Sequence, residues 1–141
     1  MKPGILLKLA AGCTAFFATG HSIGHFTRHN ISDLKAREVL RLMVETRFDM
    51  FGFMRTYDEN YRGMSINLII TLIALTFILW TLAKHCETNV ELSINILTLI
   101  MLLLLGFSIT GFLFFFHVPA ITCLVGAIFI GLSILQLKRR I

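Results

Sequence analysis

Apolar residues run almost without interruption through three long stretches of the chain. No Asp, Glu, Lys or Arg interrupts the stretches from Leu9 to Thr27, from Gly63 to Ala83 and from Leu92 to Leu137. A helix rises about 1.5 Å per residue and the hydrocarbon layer of a bilayer is about 30 Å thick, so about 20 residues cross it once. The first two stretches therefore each predict one membrane span, and the third is long enough for two.

A break in the third stretch is predicted at His117-Val118-Pro119. Proline lacks the amide donor and clashes with the preceding helical turn. Strands are not expected, because the apolar runs do not alternate with polar residues. We predict an all-α, polytopic membrane protein in which residues 1–141 form one domain. Its four transmembrane helices form a bundle, with spans near 5–27, 64–84, 93–116 and 119–138.

Residues 28–62 form the one long polar stretch of the sequence. Cap-forming residues in 30–33 favour a helix start there. Apolar residues then recur at three- and four-residue spacing, at Ala36, Leu40, Met43, Met50 and Met54. This pattern predicts an amphipathic interfacial helix between helices one and two, at the membrane surface or over the bundle mouth. The alternative is a solvated helix that only covers the bundle.

Composition supports a membrane protein and argues against soluble classes. The 141 residues are 56% hydrophobic and 15% charged, with a mean hydropathy of +0.79, whereas soluble domains carry about 25% charged residues. The net charge of +5 is carried by Lys and Arg that flank apolar runs, which is typical of membrane orientation signals. No soluble module presents these charges to nucleic acid, so a nucleic-acid partner is not expected.

Four spans place both termini on one side of the membrane. That side carries the basic residues Lys2, Lys8, Lys84, Lys138, Arg139 and Arg140, and the opposite side carries those of segment 28–62. The two counts are nearly equal. We predict cytoplasmic termini because the charges on the terminal side lie close to the span ends.

The same topology gathers chemically capable side chains at one membrane face. The end of helix one, the polar segment, the start of helix two and the turn between helices three and four share this face. The candidate ligand-binding residues at this mouth are His21, His25, Arg55, Tyr57, Asp58, Glu59 and His117. The alternative interpretation is structural: the tyrosines belong to the aromatic belt at the membrane interface, and the arginines pair with acidic side chains or with phosphates.

His21 and His25 lie four residues apart and therefore one turn apart on a helix. Two imidazoles so placed can hold a divalent metal ion or supply an axial ligand to haem. A third ligand would come from His117, Asp58 or Glu59. The chain has no HExxH or CxxC pattern that would strengthen a metal assignment. A carboxylate of Asp58 or Glu59 beside either histidine could also orient the ring or exchange protons with it.

Small residues favour close helix packing at several places. They include Gly20 and Gly24 beside the histidines, Gly106 with Thr110, and Ala127 with Gly131. Interhelical packing and hydrogen bonding are therefore the structural alternative to a ligand site in helix one. The pairs Gly106/Thr110 and Ala127/Gly131 favour helix packing either within one chain or between copies. The protein could therefore form a homo-oligomer or belong to a larger membrane complex.

Two motifs carry a family resemblance. Gly-His-x-x-Gly-His at 20–25, together with Phe-Asp-Met-Phe-Gly-Phe-Met-Arg-x-Tyr at 48–57 and Tyr61-x-Gly63, resembles small bacterial four-helix integral membrane proteins loosely described as DoxX-like. The resemblance implies a bacterial inner-membrane location and a four-helix fold, and it carries no established reaction.

Three functions remain open from the sequence. The first is binding of a small ligand, lipid or metal at the polar mouth, or an accessory role in a complex. The second is a membrane-embedded enzyme that uses a histidine–carboxylate pair on a lipid, sterol-like or quinone substrate. The third is a haem or metal protein.

Overall fold

The computed structural model describes residues 1–139, and within them the chain is built almost entirely from helices. In chain order the elements are α1 (Pro3–Thr27), α2 (Leu34–Glu45), β1 (Arg47–Met50), β2 (Phe53–Thr56), α3 (Tyr57–His85), α4 (Val90–Phe114) and α5 (His117–Lys138). The helices α1, α3, α4 and α5 are long and apolar enough to cross a membrane. The prediction of an all-α, multi-pass membrane protein with one additional helix between the first two spans is confirmed.

The third apolar stretch does divide into two helices, slightly before the predicted position. α4 ends at Phe114 and α5 begins at His117. Pro119 is therefore the third residue of α5 rather than part of the break. A proline is tolerated there because the first amides of a helix have no intrahelical acceptor. The predicted boundaries near 93, 116 and 119 each move by two or three residues.

The start of the second span was placed too late by the sequence pattern. α3 begins at Tyr57, not near residue 64. The Thr56 side chain accepts a hydrogen bond from the Glu59 amide (3.1 Å), and the Glu59 carboxylate accepts one from the Thr56 amide (2.8 Å). This reciprocal pair is a capping box, which satisfies two amides that the first helical turn leaves unpaired. The helix therefore starts on polar residues well before its apolar run.

The predicted amphipathic helix exists but is shorter than the apolar pattern indicated. Its N-cap is Asp33, whose side chain accepts from the Ala36 amide at 2.8 Å. Ala36, Leu40 and Met43 form its partly buried face, as expected. The helix ends at Glu45. The continuation of the helical stripe through Met50 and Met54 was wrong.

The outer face of α2 carries a small network of ion pairs. The Arg41 guanidinium contacts the carboxylates of Glu38 (2.7 Å) and Glu45 (2.5 Å), one helical turn to either side. The hydrogen bond from Arg41 holds the pKa of Glu38 below its usual value. All three side chains are exposed, so this network is solvated and contributes little to stability.

Residues 47–56 form an antiparallel β-hairpin, which the sequence analysis did not predict. Its register pairs Arg47 with Thr56 and Met50 with Phe53, leaving Phe51-Gly52 as a two-residue loop. The run Arg-Phe-Asp-Met at 47–50 alternates polar and apolar residues, which is a strand pattern. That period-two signal was obscured because Met50 and Met54 also fit a helical spacing.

The contacts of the backbone divide the chain into two compact units. One unit contains residues 1–18 together with the chain from Leu72 onward, and the other contains Thr19–Thr71. The first holds the beginning of α1, the second half of α3, and α4 and α5. The second holds the end of α1, α2, the hairpin and the beginning of α3.

The first unit has one apolar core to which all four long helices contribute. Its buried members are Leu7, Ala10, Ala11, Leu75, Leu79, Cys86, Leu97, Ile100, Leu104, Cys123, Ala127, Ile130, Ile134 and Leu137. Polar side chains in this unit are paired: the hydroxyls of Thr14 and Thr76 lie 2.8 Å apart, and the Ser133 hydroxyl donates to the Pro3 carbonyl at 3.3 Å. Bonds of this kind satisfy polar groups that a bilayer would leave unsolvated.

Small residues do allow close packing of α4 on α5. At the predicted Gly131 an added Cβ would lie 3.4 Å from the Met101 sulfur, and the approach at Gly111 is closer still. A Cβ atom added at Gly111 would lie 2.9 Å from the Ala120 Cβ, whereas Gly106 has nothing within 4 Å. Ala127 is buried, as the packing prediction requires. Gly106 and Thr110 are exposed. This pair therefore does not pack within the chain, and packing between copies stays a prediction.

Candidate functional site

Polar residues of α1 and α3 face one another within the unit Thr19–Thr71. His21 lies on α1, and Arg28, seven positions later, is the first residue after the end of that helix. On α3, Asp58 and Ser65 are also seven positions apart. Seven residues are almost two full turns, so Asp58 and Ser65 lie on one face of α3, about 10 Å apart along its axis. The contacts pair His21 with Ser65 and Arg28 with Asp58, which requires the two helix ends to run in opposite directions.

An ion pair forms the outer part of this arrangement. The Arg28 Nη2 atom donates to both carboxylate oxygens of Asp58, at 2.7 and 2.8 Å. The His29 Nε2 atom lies 3.3 Å from the same carboxylate. Asp58 is 6% exposed, and its partner Arg28 has a side chain 14% exposed. The carboxylate is therefore removed from water and neutralised by a cation that is almost equally buried.

A serine links the two histidines of the Gly-His-x-x-Gly-His motif. The Ser65 hydroxyl oxygen lies 2.8 Å from His25 Nδ1 and 3.0 Å from His21 Nε2. A hydroxyl can donate only one hydrogen bond. At least one of the two ring nitrogens must therefore donate its proton to Ser65. We call His21, His25, Arg28, His29, Asp58 and Ser65 the polar cluster.

The guanidinium of Arg28 is not fully satisfied by its neighbours. Its Nε atom is buried and has no hydrogen-bond partner among the described residues. One face of the guanidinium lies over the Tyr61 ring, with Cζ 5.6 Å from the ring centroid. A buried N–H of a charged group is costly when it lacks an acceptor, so this atom is a donor that the described residues leave unsatisfied.

The other candidates from the polar segment have structural contacts of their own. The backbone amide and the side-chain carboxylate of Glu59 both take part in the capping box at the start of α3. The Tyr57 ring packs on Phe48 at a centroid distance of 4.6 Å. Arg55 lies on β2 opposite Phe48 and is exposed. Among the acidic and aromatic candidates of this segment, the contact with a histidine is made by Asp58, which lies beside His29.

His117 belongs to the other compact unit. It is the first residue of α5, and its ring lies 5.9 Å from that of Phe112. Its role as a member of the mouth stays a prediction.

The metal hypothesis rests on His21 and His25 alone. Within residues 1–139, no group of three or more His, Cys, Asp or Glu side chains is arranged to hold a metal ion. The two imidazoles instead share the hydroxyl of Ser65. The observed donor set at this point is therefore suited to hydrogen bonding and proton exchange.

Two members of the polar cluster, Arg28 and Ser65, were absent from the sequence-based candidates. The signal that could have found them is the matching seven-residue interval from His21 to Arg28 and from Asp58 to Ser65. It was missed because Ser65 lies inside an apolar run and Arg28 was assigned to the polar segment after the helix. His29 does not extend the helical series of His21 and His25, because α1 ends at Thr27; it contacts Asp58 from the turn that follows the helix.

Comparisons with known proteins leave the chain without an assigned family. No protein-family model, no curated protein and no solved structure matches it. The resemblance to DoxX-like proteins therefore stays a prediction, and the functional argument depends on the geometry of the polar cluster.

Replacing Ser65 with alanine tests the link between the histidines. We expect the free energy of unfolding to fall by about 1–2 kcal/mol, because a part-buried histidine nitrogen loses its partner. The ring ¹⁵N signals of His21 and His25 should both shift in NMR spectra. The control is Thr71→Ala on the same helix, where the hydroxyl bonds only to the local Asn67 carbonyl. Unchanged histidine signals in Ser65→Ala would contradict the link.

Proposed function

We propose that this multi-pass membrane protein binds the oxygen-bearing polar head of a small amphiphilic ligand or lipid at the polar cluster. It would do so by itself or as an accessory subunit of a larger membrane complex. We place it in a bacterial inner membrane with both termini in the cytoplasm, which puts the cluster on the opposite side. Arg140, one of the basic residues used for that orientation, lies outside the described residues.

The unpaired Nε atom of Arg28 is the observation that carries this proposal. The same guanidinium already binds Asp58, so its remaining buried donor points to a second acceptor. A phosphate, carboxylate or carbonyl oxygen fits that requirement, and Arg is well suited to bind two oxygens at once. The Ser65 hydroxyl and the histidines would supply further hydrogen bonds to hydroxyl or ester groups.

A second candidate is an enzyme that acts on a lipid, sterol-like or quinone substrate. The observation in its favour is the His29–Asp58 contact at 3.3 Å. A carboxylate beside an imidazole can orient the ring and stabilise its protonated form. The His29 side chain is 51% exposed, so its ring is accessible to a reacting group.

A panel of defined amphiphiles tests ligand binding directly. The purified full chain in detergent is titrated with phosphatidylglycerol, cardiolipin, phosphatidylethanolamine and a short-chain quinone, and thermal unfolding is followed. A ligand present at 100 times its Kd stabilises the folded state by about 2.7 kcal/mol. We expect at least one class to raise the Tm of the wild type.

Arg28→Lys is the decisive variant, because it keeps a positive charge beside Asp58 and removes Nε. It should lose the Tm rise while the protein remains folded. Arg62→Gln, which removes an exposed arginine of α3, should keep it. If no probe stabilises the wild type, or if Arg28→Lys responds fully, the ligand site is disproved. Mass-spectrometric conversion of a bound probe, lost in His29→Gln, would favour the enzyme.

A further inference from the structure

The loop of the β-hairpin breaks a rule of turn chemistry. Its two central residues, Phe51 and Gly52, both have positive φ, at 53° and 87°. Two-residue loops of this type I′ geometry strongly favour Asn-Gly, Asp-Gly or Gly-Gly. Glycine is in its expected position. A bulky aromatic residue at the first position is unusual, because its Cβ crowds the backbone there.

Packing within the chain does not account for this choice. The Phe51 residue is 98% exposed, so it gains almost nothing from apolar burial inside the protein. The turn is closed without it, since the Asp49 carboxylate accepts the Gly52 amide at 2.7 Å. Positions that violate a local rule without a folding benefit are candidates for function.

Two further apolar residues next to Phe51 in the hairpin are also exposed. Phe53 is 66% exposed and Met54 is 52% exposed. We call Phe51, Phe53 and Met54 the hairpin cap. An aromatic cap on a short, hydrogen-bonded hairpin is a rigid element, so its insertion into an apolar medium would cost little conformational entropy.

The position of the hairpin in the chain indicates which apolar medium is near. Thr56, the last hairpin residue, directly precedes Tyr57, the first residue of the membrane-spanning helix α3. The apolar run of α3 starts at Gly63, six residues later, which is about 9 Å along the helix. The headgroup region is about 5–8 Å thick on each side of the hydrocarbon layer. The hairpin is thus tethered at the outer edge of the headgroup region, and a strand of four residues, about 13 Å long, can reach into that region. It belongs to one compact unit with the end of α1 and the beginning of α3.

The charges on the strands favour anionic lipid in particular. Arg47 and Arg55 flank the cap on β1 and β2, and both are exposed. Among the described residues neither takes part in an ion pair. The one acid of the hairpin, Asp49, is engaged with the backbone of the turn. A lipid phosphate in the headgroup layer would complement these two guanidinium groups.

We propose that the hairpin cap inserts into the headgroup region of an anionic bilayer and anchors segment 28–56 to the membrane surface. This anchor is a lipid-binding surface separate from the polar cluster. It does not depend on the proposed ligand-binding function, since it uses none of the residues of the cluster.

Depth-dependent fluorescence quenching tests the insertion. Trp80 is the one tryptophan of the chain, and the substitution Trp80→Phe removes its fluorescence. In this tryptophan-free protein, Phe53→Trp introduces a single fluorescent reporter in the hairpin cap. The full chain is reconstituted into phosphatidylglycerol–phosphatidylcholine vesicles with bromine atoms at known depths. We expect blue-shifted emission and strongest quenching by shallow bromines. Emission like that of tryptophan in water, with no bromine quenching, would overturn the proposal.

Substitutions at Phe51 supply matched variants that keep the turn. Phe51→Asn introduces the residue that a type I′ loop prefers, so the hairpin should be retained or strengthened. Burial of a phenylalanine side chain is worth at least a tenfold change in an equilibrium. In the reporter background, Phe51→Asn should therefore shift the balance of inserted and withdrawn states about tenfold towards withdrawal. Phe51→Leu, which stays apolar, should preserve most of the quenching.

Two further outcomes would also overturn the proposal. If the reporter is shielded only at high protein-to-lipid ratio and becomes exposed on dilution with lipid, a second copy of the chain covers the cap. If it is shielded at every dilution but no bromine quenches it, the cap contacts protein. Equal quenching in Phe51→Asn and the parent would show that Phe51 does not drive insertion.

Discussion

Asp58→Leu is expected to lower the free energy of unfolding by about 3 kcal/mol, through loss of an ion pair that is largely buried. The substitution leaves the Arg28 guanidinium, whose side chain is only 14% exposed, without its carboxylate. Removing one partner of a buried pair costs about 3–5 kcal/mol, because the remaining charge is uncompensated. We take the lower end since Arg28 retains some access to solvent. Denaturation of the purified protein in detergent measures the effect.

A double-mutant cycle separates the ion pair from simple loss of packing. Arg28→Met combined with Asp58→Leu removes both charges, so its destabilisation should be well below the sum of the two single variants. The control is Arg41→Gln on α2, which breaks the exposed pairs with Glu38 and Glu45 and should leave the midpoint unchanged. Additive single effects at Arg28 and Asp58 would mean that the two residues do not interact in solution.

Gly111→Val is expected to destabilise the protein by about 2–3 kcal/mol by forcing α4 away from α5. A Cβ atom at this position would lie 2.9 Å from the Ala120 Cβ and 3.1 Å from its Cα. The Cα belongs to the helix backbone and cannot move out of the way as the end of a flexible side chain could. Overpacking of this kind typically costs 1–3 kcal/mol.

Gly106→Val on the same helix is the matched control. It introduces the same side chain, and nothing lies within 4 Å of the added Cβ. The difference between the two variants in thermal or denaturant unfolding therefore isolates the α4–α5 contact. Ala120→Gly should recover part of the stability lost in Gly111→Val, because it removes the atom nearest to the added Cβ. Identical stabilities for the variants at 106 and 111 would show that the close approach is absent in solution.

The main features of the fold could be read from hydrophobicity alone. A bilayer can be crossed only by segments whose backbone polar groups are satisfied internally, so long apolar runs leave little choice besides helices. The predicted end of α1 at Thr27 is confirmed, and the N-cap of α2, Asp33, lies within the range 30–33 that the sequence offered for the start of that helix. The predicted start of α3 was less accurate. Its capping box of Thr56 and Glu59 lies before the apolar run from which the span was predicted.

Local chemistry in the polar segment was harder to predict, because short elements carry weak signals. Met50 and Met54 fit a helical stripe as well as a hairpin, and four residues per strand give only two full alternations. The Phe51-Gly52 loop does not match the usual turn sequences. It is the hydrogen-bonded register of Arg47–Met50 with Phe53–Thr56 that decides between the two interpretations.

By itself, the sequence determined that this is a helical membrane protein with histidines and acids concentrated at one end of its first two spans. Hydrophobic length and helical spacing are properties of single segments, and both can be read without knowing the partners. Only the tertiary structure decided that Asp58 binds Arg28 and His29, that Ser65 joins His21 to His25, and that Gly111 meets Ala120. Such contacts depend on the rotation and register of one helix against another, which are set by packing between residues distant in the chain.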